Sequence, residues 1–170
     1  DAPVDQVLKA WEGHGYYSRA RNLHAAAGIV RERHNGAVPD TYAALRELPG
    51  IGDYTAGAVA SVAFAQPEPV VDGNVSRVLH RLADRPRMTA REQRALAAKL
   101  VAPHRPGDFN QAMMEHGSTV CTPRAPRCDR CPVQRYCLAY ANGTQLERPA
   151  PKQKKPIPVG EFTRVVLKCE

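Results

Sequence analysis

The sequence predicts an all-α fold, and three observations indicate it. Apolar residues recur at helical spacing through the first 120 residues, strand-like alternation is weak before residue 160, and Gly-, Pro- and Asn-containing turns separate the apolar segments. The chain has 170 residues and is 43% hydrophobic, so it is long enough to bury a core without disulfides. No apolar run approaches the ~18 residues of a membrane span. We therefore expect a globular protein rather than a membrane, fibrous or disordered one.

The first half of the chain contains four predicted helices. Their apolar positions place them at about 4–11, 23–30, 41–47 and 53–65. A turn at 35–36 closes the second helix, and Asp40 is expected to cap the third. The fourth helix is rich in Ala and Gly, which allows close backbone approach to a neighbouring element.

Three further helices are predicted before the cysteine-rich region. They lie after Asp72, at 90–101 and at about 109–120. The segment 148–160 is rich in Pro and Lys and is typical of a linker, whereas 162–168 reads as a lone strand. A single terminal strand usually belongs to a larger unit, so we expect the natural chain to continue past residue 170.

The positive charge of the chain is unevenly distributed. The net charge is +7, and six of these seven charges lie after residue 120. Such a skew is found in solvated basic tails and also in proteins that bind a polyanion, most often nucleic acid. Composition alone leaves both interpretations open.

Four cysteines cluster near the end of the helical part. Their spacing is Cys121-x6-Cys128-x2-Cys131-x5-Cys137, and no cysteine precedes them. Such a cluster indicates metal ligation in a reducing compartment rather than a secreted disulfide framework. Zinc remains possible in principle, but the single C-x2-C pair favours a [4Fe–4S] cluster. Cys169 lies apart from the cluster and reads as a free cysteine.

Arginines are interleaved with these cysteines. Those nearest the first ligands are Arg124 and Arg127. Their charge would offset that of a tetrathiolate, or would present a positive face to phosphate.

A glycine-containing turn connects the third and fourth predicted helices. It consists of Pro49, Gly50, Ile51 and Gly52. Two glycines around one apolar residue allow a sharp turn with exposed N–H groups, and the next helix begins there. This arrangement suits a phosphate oxygen, although many helix pairs joined by such turns bind nothing.

Asp72 directly precedes the fifth predicted helix and follows the apolar residues Val70 and Val71. An aspartate at this position commonly caps the helix. A partly desolvated carboxylate could also stabilise a developing positive charge. The two roles are compatible, because a capping carboxylate can still face a ligand.

Together these features resemble one protein family. Three blocks carry the resemblance: 13–23, 48–57 with 71–75, and 109–115 leading into the four cysteines. They are similar to the endonuclease III superfamily of helix–hairpin–helix DNA glycosylases with an iron–sulfur cluster, and within it to the MutY-type adenine glycosylases. The resemblance implies the helix–hairpin–helix glycosylase fold with a [4Fe–4S] cluster loop.

The resemblance also implies a division of the chain. Residues 1–107 match a partial helical barrel that contains the helix–hairpin–helix motif at about 41–65. Residues 108–141 match the last helix and the cluster region. Residues 142–170 match the linker, followed by the start of a C-terminal domain that is otherwise absent.

Roles for individual residues follow from the same resemblance. Asp72 matches the aspartate that stabilises the oxocarbenium-like sugar, and Asn74 matches a polar neighbour in that pocket. Tyr16 matches the aromatic that wedges into the duplex, although a core tyrosine is the simpler interpretation. The turn at 49–52 matches the hairpin that holds DNA phosphate, often with a monovalent cation. The cluster ligands match Cys121, Cys128, Cys131 and Cys137.

Tyr54 distinguishes the branches of this superfamily. Bifunctional members carry a Schiff-base lysine at this position, and here no lysine occurs between Lys9 and Lys99. The resemblance therefore implies a monofunctional enzyme that uses water. Tyr54 would line the adenine pocket.

The implied reaction is hydrolysis of the N-glycosidic bond of an adenine mispaired with 8-oxoguanine or guanine, after the base is flipped out of the duplex. The expected partner is double-stranded DNA that contains the mispaired adenine. We expect a monomer that is intracellular and DNA-associated, in the cytoplasm or nucleoid if bacterial, and without membrane association.

One departure from the family pattern lies at the N-terminal end of the chain. The family's general-acid glutamate belongs to helices that precede the region matching Asp1. The 170 residues are therefore expected to have little or no glycosylase activity alone. Two other interpretations remain: a non-catalytic DNA-binding module, and a related glycosylase that acts on thymine or on oxidised pyrimidines.

Overall fold

A computed structural model of the chain describes residues 2–151. This part contains α-helices and two short 3-10 helices, and no strand. The α-helices are α1 (Val4–Ala10), α2 (Tyr17–Arg33), α3 (Tyr42–Arg46), α4 (Asp53–Phe64), α5 (Gly73–Leu82), α6 (Ala90–Leu100), α7 (Pro106–Thr119) and α8 (Leu138–Ala141). The all-α prediction is confirmed for the described residues. The lone strand at 162–168, most of the predicted linker and Cys169 lie outside them.

The helix boundaries differ from the sequence pattern at three places, and the first is α2, which begins at Tyr17, six residues before the predicted start. Thr41, not Asp40, caps α3, because the Thr41 hydroxyl accepts a hydrogen bond from the N–H of Ala44 at 3.3 Å. The last long helix begins at Pro106, three residues before the predicted start. Proline suits the first turn of a helix, where its missing N–H has no intrahelical partner.

None of the helices in residues 2–151 is long and apolar enough to cross a membrane.

Two groups of buried apolar residues hold the helices together. The first joins α3 to α4 through Leu45, Leu48, Ala56 and Ala60. The second joins α5 to α6 and α7 and is built around Val75, Leu79 and Ala97, with Met113 and Met114 packed against it. At about 25 cal/mol per Å² of buried apolar area, these contacts are the main source of stability.

The small residues of α4 allow close packing, as predicted. A Cβ on Gly57 would lie 2.6 Å from the carbonyl oxygen of Pro69, and one on Gly107 would lie 2.8 Å from that of Ser61. These distances are shorter than real Cβ contacts, so each glycine lets two backbones touch. The α4 helix is thereby held against the segment that leads into Asp72 and against the start of α7.

Candidate active site and iron–sulfur centre

The glycine-containing turn forms a hairpin between α3 and α4. Gly50 has a φ of 79°, a conformation that glycine adopts without strain. A Cβ there would lie 2.8 Å from the side chain of Asn22, so α2 packs directly against the hairpin. Gly52 precedes the first residue of α4. The positive end of the α4 dipole is therefore at the hairpin.

Three polar side chains around the hairpin were not identified from the sequence. Arg46 donates from Nη1 to the carbonyl of Ile51 at 2.7 Å, and its Nε lies 2.8 Å from Oδ1 of Asp53. The Tyr42 hydroxyl donates to the same carboxylate oxygen at 2.8 Å. Burial, followed by this hydrogen bond to Asp53, raises the pKa of Tyr42.

The contact between Arg46 and Ile51 bears on the expected monovalent cation. A cation at the hairpin would need backbone carbonyl oxygens as ligands. The Ile51 carbonyl already accepts a hydrogen bond from a guanidinium. One of the two lone pairs of this carbonyl oxygen is thus already used, and the cation remains a prediction.

Tyr54 and Asp72 line the same cavity. It has a volume of about 1000 Å³ and lies between the start of α4, the start of α5 and α6. A volume of this size is at the upper end of the range for ligand sites. The Tyr54 hydroxyl reaches Sδ of Met114 at 3.6 Å, and 46% of this tyrosine is exposed. Two residues that are far apart in sequence therefore share one site.

Asp72 caps α5, as its position in the sequence indicates. Its Oδ1 accepts the N–H of Val75 at 2.7 Å, and its Oδ2 accepts Nδ2 of Asn74 at 3.2 Å. The carboxylate is therefore held in one orientation while the residue lines the cavity. Asn74 is not among the residues that line the cavity, since its side chain packs against Gly117 of α7.

A chain of hydrogen bonds leads from Asp72 to the cysteine region. The Oδ1 of Asn74 accepts Nη2 of Arg77 at 2.9 Å. Arg77 donates from Nε to the carbonyl of Cys121 at 2.8 Å, and also donates to the carbonyl of Gly117. Burial, followed by the nearby charge of Arg81, lowers the pKa of Arg77.

The four predicted metal ligands line one small cavity. It is bounded by Cys121, Cys128, Cys131 and Cys137. Among residues 2–151, no three His, Cys, Asp or Glu side chains are placed to hold a single metal ion. Four thiols that share one cavity can together act as the ligands of one cluster.

Two of the four thiols have raised pKa values. Burial raises the pKa of the Cys128 and Cys131 thiols, and the neighbouring Cys121 thiol raises both pKa values further. Thiolate is the form that binds iron, so metal binding must overcome this bias toward the protonated form. The four cysteines, which are half-buried, would hold the [4Fe–4S] cluster.

Arg81 lies at the centre of this region and was not identified from the sequence. It is buried, with 2% of its surface exposed. Its Nη1 lies 3.2 Å from Sγ of Cys121 and 2.8 Å from the carbonyl of Thr122. Arg77 and Arg81 are four residues apart and so lie on the same side of an amphipathic helix, and this spacing is the sequence signal that could have marked both.

Of the predicted DNA-contacting side chains, Tyr16 and Arg124 line neither cavity, whereas Arg127 lines the cysteine cavity. Tyr16 has a φ of 46° and is 81% exposed, so it is not a core tyrosine. It directly precedes α2. Arg124 and Arg127 are exposed on the loop between the first two cysteines.

Comparison with known proteins agrees with this geometry. Residues 1–103 match the HhH-GPD superfamily of base excision DNA repair proteins, and residues 121–137 match the iron–sulfur binding domain of endonuclease III. The adenine DNA glycosylase of Homo sapiens is 52% identical over 145 residues, which are 81% of this chain and 26% of that protein. The adenine DNA glycosylase of Buchnera aphidicola subsp. Acyrthosiphon pisum is 32% identical over 175 residues, covering 100% of this chain and 50% of that protein.

Solved structures show the same fold. A thermostable thymine-DNA glycosylase matches with a TM-score of 0.74 at 30% identity, over 83% of this chain and 67% of that one. A non-covalent endonuclease III–DNA complex matches with a TM-score of 0.70 at 27% identity, over 85% of this chain and 68% of that one. The chain spans only about a quarter to a half of the length of the curated relatives described above. Its matched region and its cysteine cluster establish that the chain belongs to the HhH-GPD superfamily of base excision DNA repair proteins, and that it carries the iron–sulfur binding domain of endonuclease III.

Proposed function

We propose that the protein containing this chain is a monofunctional adenine DNA glycosylase that acts on adenine opposite 8-oxoguanine or guanine. The observation that carries the proposal is the shared cavity of Tyr54 and Asp72. A fixed carboxylate and an aromatic side chain at one site suit a flipped nucleotide, with the base against the aromatic and the sugar near the carboxylate. Relatives with 32–52% identity that are named adenine DNA glycosylases support the choice of base.

The role of Asp72 is to stabilise positive charge on the sugar as the N-glycosidic bond breaks. Its hydrogen bonds to Val75 and Asn74 hold the carboxylate in place before the reaction begins. None of the cavity-lining residues within 2–151 is a lysine, so the described lining offers no amine for a Schiff base. Water is the nucleophile in this proposal.

Adenine also needs a proton in order to leave. Asp53, the other carboxylate that lines the cavity, is bound to Arg46 and Tyr42, so we assign it to the hairpin. His80 also lines the cavity, but its Nδ1 lies 2.7 Å from the carbonyl of Ser76. In the neutral ring this contact places the proton on Nδ1 and leaves Nε2 as an acceptor. We propose that these residues alone support little or no excision.

The DNA-binding surface in this proposal combines three features. The hairpin at 49–52 receives a phosphate at the start of α4, because its N–H groups and the helix dipole favour an anion. Tyr16 wedges into the duplex, and its high exposure supports this role. Arg124 and Arg127 contact phosphate from the cluster loop. The partner is double-stranded DNA with a mispaired adenine, bound by a monomer.

Single-turnover excision measurements test the enzymatic proposal. Duplexes that contain adenine opposite 8-oxoguanine or guanine are compared with duplexes that contain mispaired thymine or an oxidised pyrimidine. Both the 170-residue chain and the full protein are measured. Excision of adenine by the full protein, with almost none by the chain alone, is expected. A preference for thymine would instead support a glycosylase like the thymine-DNA glycosylase of similar fold.

A non-catalytic DNA-binding module is the second candidate function. It is favoured by one observation: both carboxylates that line the cavity are already engaged in hydrogen bonds. Duplex binding by the full protein without excision of any of these bases would establish it and would refute the enzymatic proposal.

A further inference from the structure

Arg81 is a buried guanidinium whose contacts are with neutral groups. Only 2% of the residue is exposed. Its Nε donates to the carbonyls of Gln145 and Arg148, and its Nη2 donates to that of Pro123. Its Nη1 reaches the backbone and Sγ of Cys121 and the carbonyl of Thr122. No carboxylate in residues 2–151 forms an ion pair with it.

An unpaired charge in this position is costly. Transfer of an ion from water to a protein interior costs several kcal/mol unless an opposite charge compensates for it. Carbonyl dipoles offset part of this cost but supply no net negative charge. Arg77 makes the imbalance larger, because it is a second guanidinium that also donates to the carbonyl of Cys121.

Among the direct hydrogen-bond contacts of Arg81 within residues 2–151, the groups that can carry a negative charge are thiols of the cluster region. Its Nη1 lies 3.2 Å from Sγ of Cys121, and Sγ of Cys137 lies 3.4 Å from its carbonyl oxygen. When the cluster is bound, its four thiolate ligands outweigh the positive charge of the iron–sulfide core and leave a net negative charge. The missing counter-charge would then be present.

We propose that Arg81 is the buried counter-ion of the iron–sulfur cluster and a positioning residue for its first ligand. The guanidinium neutralises part of the negative charge of the bound cluster. Its hydrogen bonds to residues 121–123 and to the 145–148 segment fix the loop that carries Cys121. This inference goes beyond the proposed function, since it concerns the cluster and does not require glycosylase activity.

Three variants of the 170-residue chain test this proposal. Arg81→Gln removes the charge and keeps some hydrogen bonding, whereas Arg81→Lys keeps the charge and loses the planar fork. Arg130→Gln is the matched control, because its side chain is 77% exposed and it lies in the same loop region. Iron and sulfide content, the rate of loss of the ~400 nm absorbance under a chelator, and the cluster reduction potential are measured for each protein.

The expected results distinguish the effect of the positive charge of Arg81 from the effect of its hydrogen bonds. Arg81→Gln should lose its cluster roughly ten- to a hundredfold faster than the wild type, the usual cost of removing a group that supports metal ligands. Its reduction potential should fall, because reduction adds negative charge that Arg81 no longer offsets. Arg81→Lys should keep a potential near that of the wild type, and Arg130→Gln should match the wild type in both measurements.

Two results would overturn the proposal. One is an Arg81→Gln protein whose potential and cluster loss equal those of Arg130→Gln. The other is an Arg81→Lys protein that changes as much as Arg81→Gln, which would show that Arg81 acts only through hydrogen bonds to carbonyls. If Arg81→Gln is purified without a cluster, Arg81→Lys decides: a loaded protein with a near-normal potential supports the proposal, and an empty one refutes it. Far-UV circular dichroism confirms that each variant has folded.

Discussion

Asp72 caps α5 and is proposed to stabilise positive charge on the sugar, and a pair of substitutions separates the two roles. Asp72→Ala removes the acceptors for the Val75 N–H and for the Asn74 amide. Loss of an N-cap costs ~1 kcal/mol, and loss of the second hydrogen bond costs up to about 1 kcal/mol more. For a chain of this length, ~1–2 kcal/mol lowers the Tm by roughly 2–8 °C. Asp72→Asn keeps an oxygen acceptor of nearly equal capping strength, so its Tm should fall less.

Catalysis should not distinguish the two variants. Both variants remove the negative charge that the proposed mechanism places beside the sugar, and such a loss costs ~3–4 kcal/mol, or ~10²- to 10³-fold in rate. Thermal unfolding of the 170-residue chain and single-turnover adenine excision by the full protein provide the two measurements. An Asp72→Asn protein that keeps more than about a tenth of the wild-type excision rate would refute the electrostatic role. Capping of α5 would then be the only role left for Asp72.

Three further predictions concern other parts of the chain. Gly57→Ala should destabilise the fold by ~1–3 kcal/mol in denaturant unfolding, because its Cβ would meet the Pro69 carbonyl at 2.6 Å, and an unchanged midpoint would contradict that contact. Tyr16→Gly should weaken duplex binding. It should also stabilise the fold by up to about 1 kcal/mol, because glycine adopts the φ of 46° without strain. Unchanged duplex affinity would exclude a DNA contact by Tyr16. Hydrogen bonds from the backbone and then the hydroxyl of Thr89, with Arg85, lower the pKa of Glu92 from 4.5 to about 2. This carboxylate therefore stabilises the fold above pH 4.5, and the effect is lost as the pH falls toward about 2. Glu92→Gln should therefore make the urea unfolding midpoint less dependent on pH over this range. Parallel plots of midpoint against pH for the variant and the wild type would contradict the shift.

The sequence was sufficient for features that depend on local spacing. Helical periodicity located the helices, and the glycines of α4 indicated the close packing seen at Gly57. The cysteine spacing identified a metal centre, and its matched family model is an iron–sulfur binding domain. At the start of α3, two capping residues stand side by side, and only the backbone conformation selects Thr41 over Asp40. Local propensity could not distinguish them, because both residue types are strong N-caps.

Side-chain contacts made by the tertiary fold could not be predicted from the sequence. Arg46, Asp53 and Tyr42 read as ordinary surface residues, but the hairpin brings them together within 2.8 Å. Arg81 reads as a polar residue on an amphipathic helix, yet it is buried because α5 packs against α7 and α8. An arginine is rarely fully buried unless it is paired, so its burial became informative only once its neighbours were known.

A single helix, α5, positions the chemistry at both ends of the site. Asp72 caps its start and Arg81 lies in its last turn, which at 1.5 Å per residue places them ~14 Å apart. Over that distance a unit charge acts on another by only ~1 kcal/mol at an effective dielectric constant of about 20. Direct electrostatics between the cluster and Asp72 is therefore weak compared with the ~3–4 kcal/mol expected from Asp72 itself. The stronger connection is mechanical: Arg77 ties Asn74, the neighbour of Asp72, to the backbone of Cys121. Loss of the cluster should thus affect Asp72 through displacement of α7 and the loop, rather than through loss of charge.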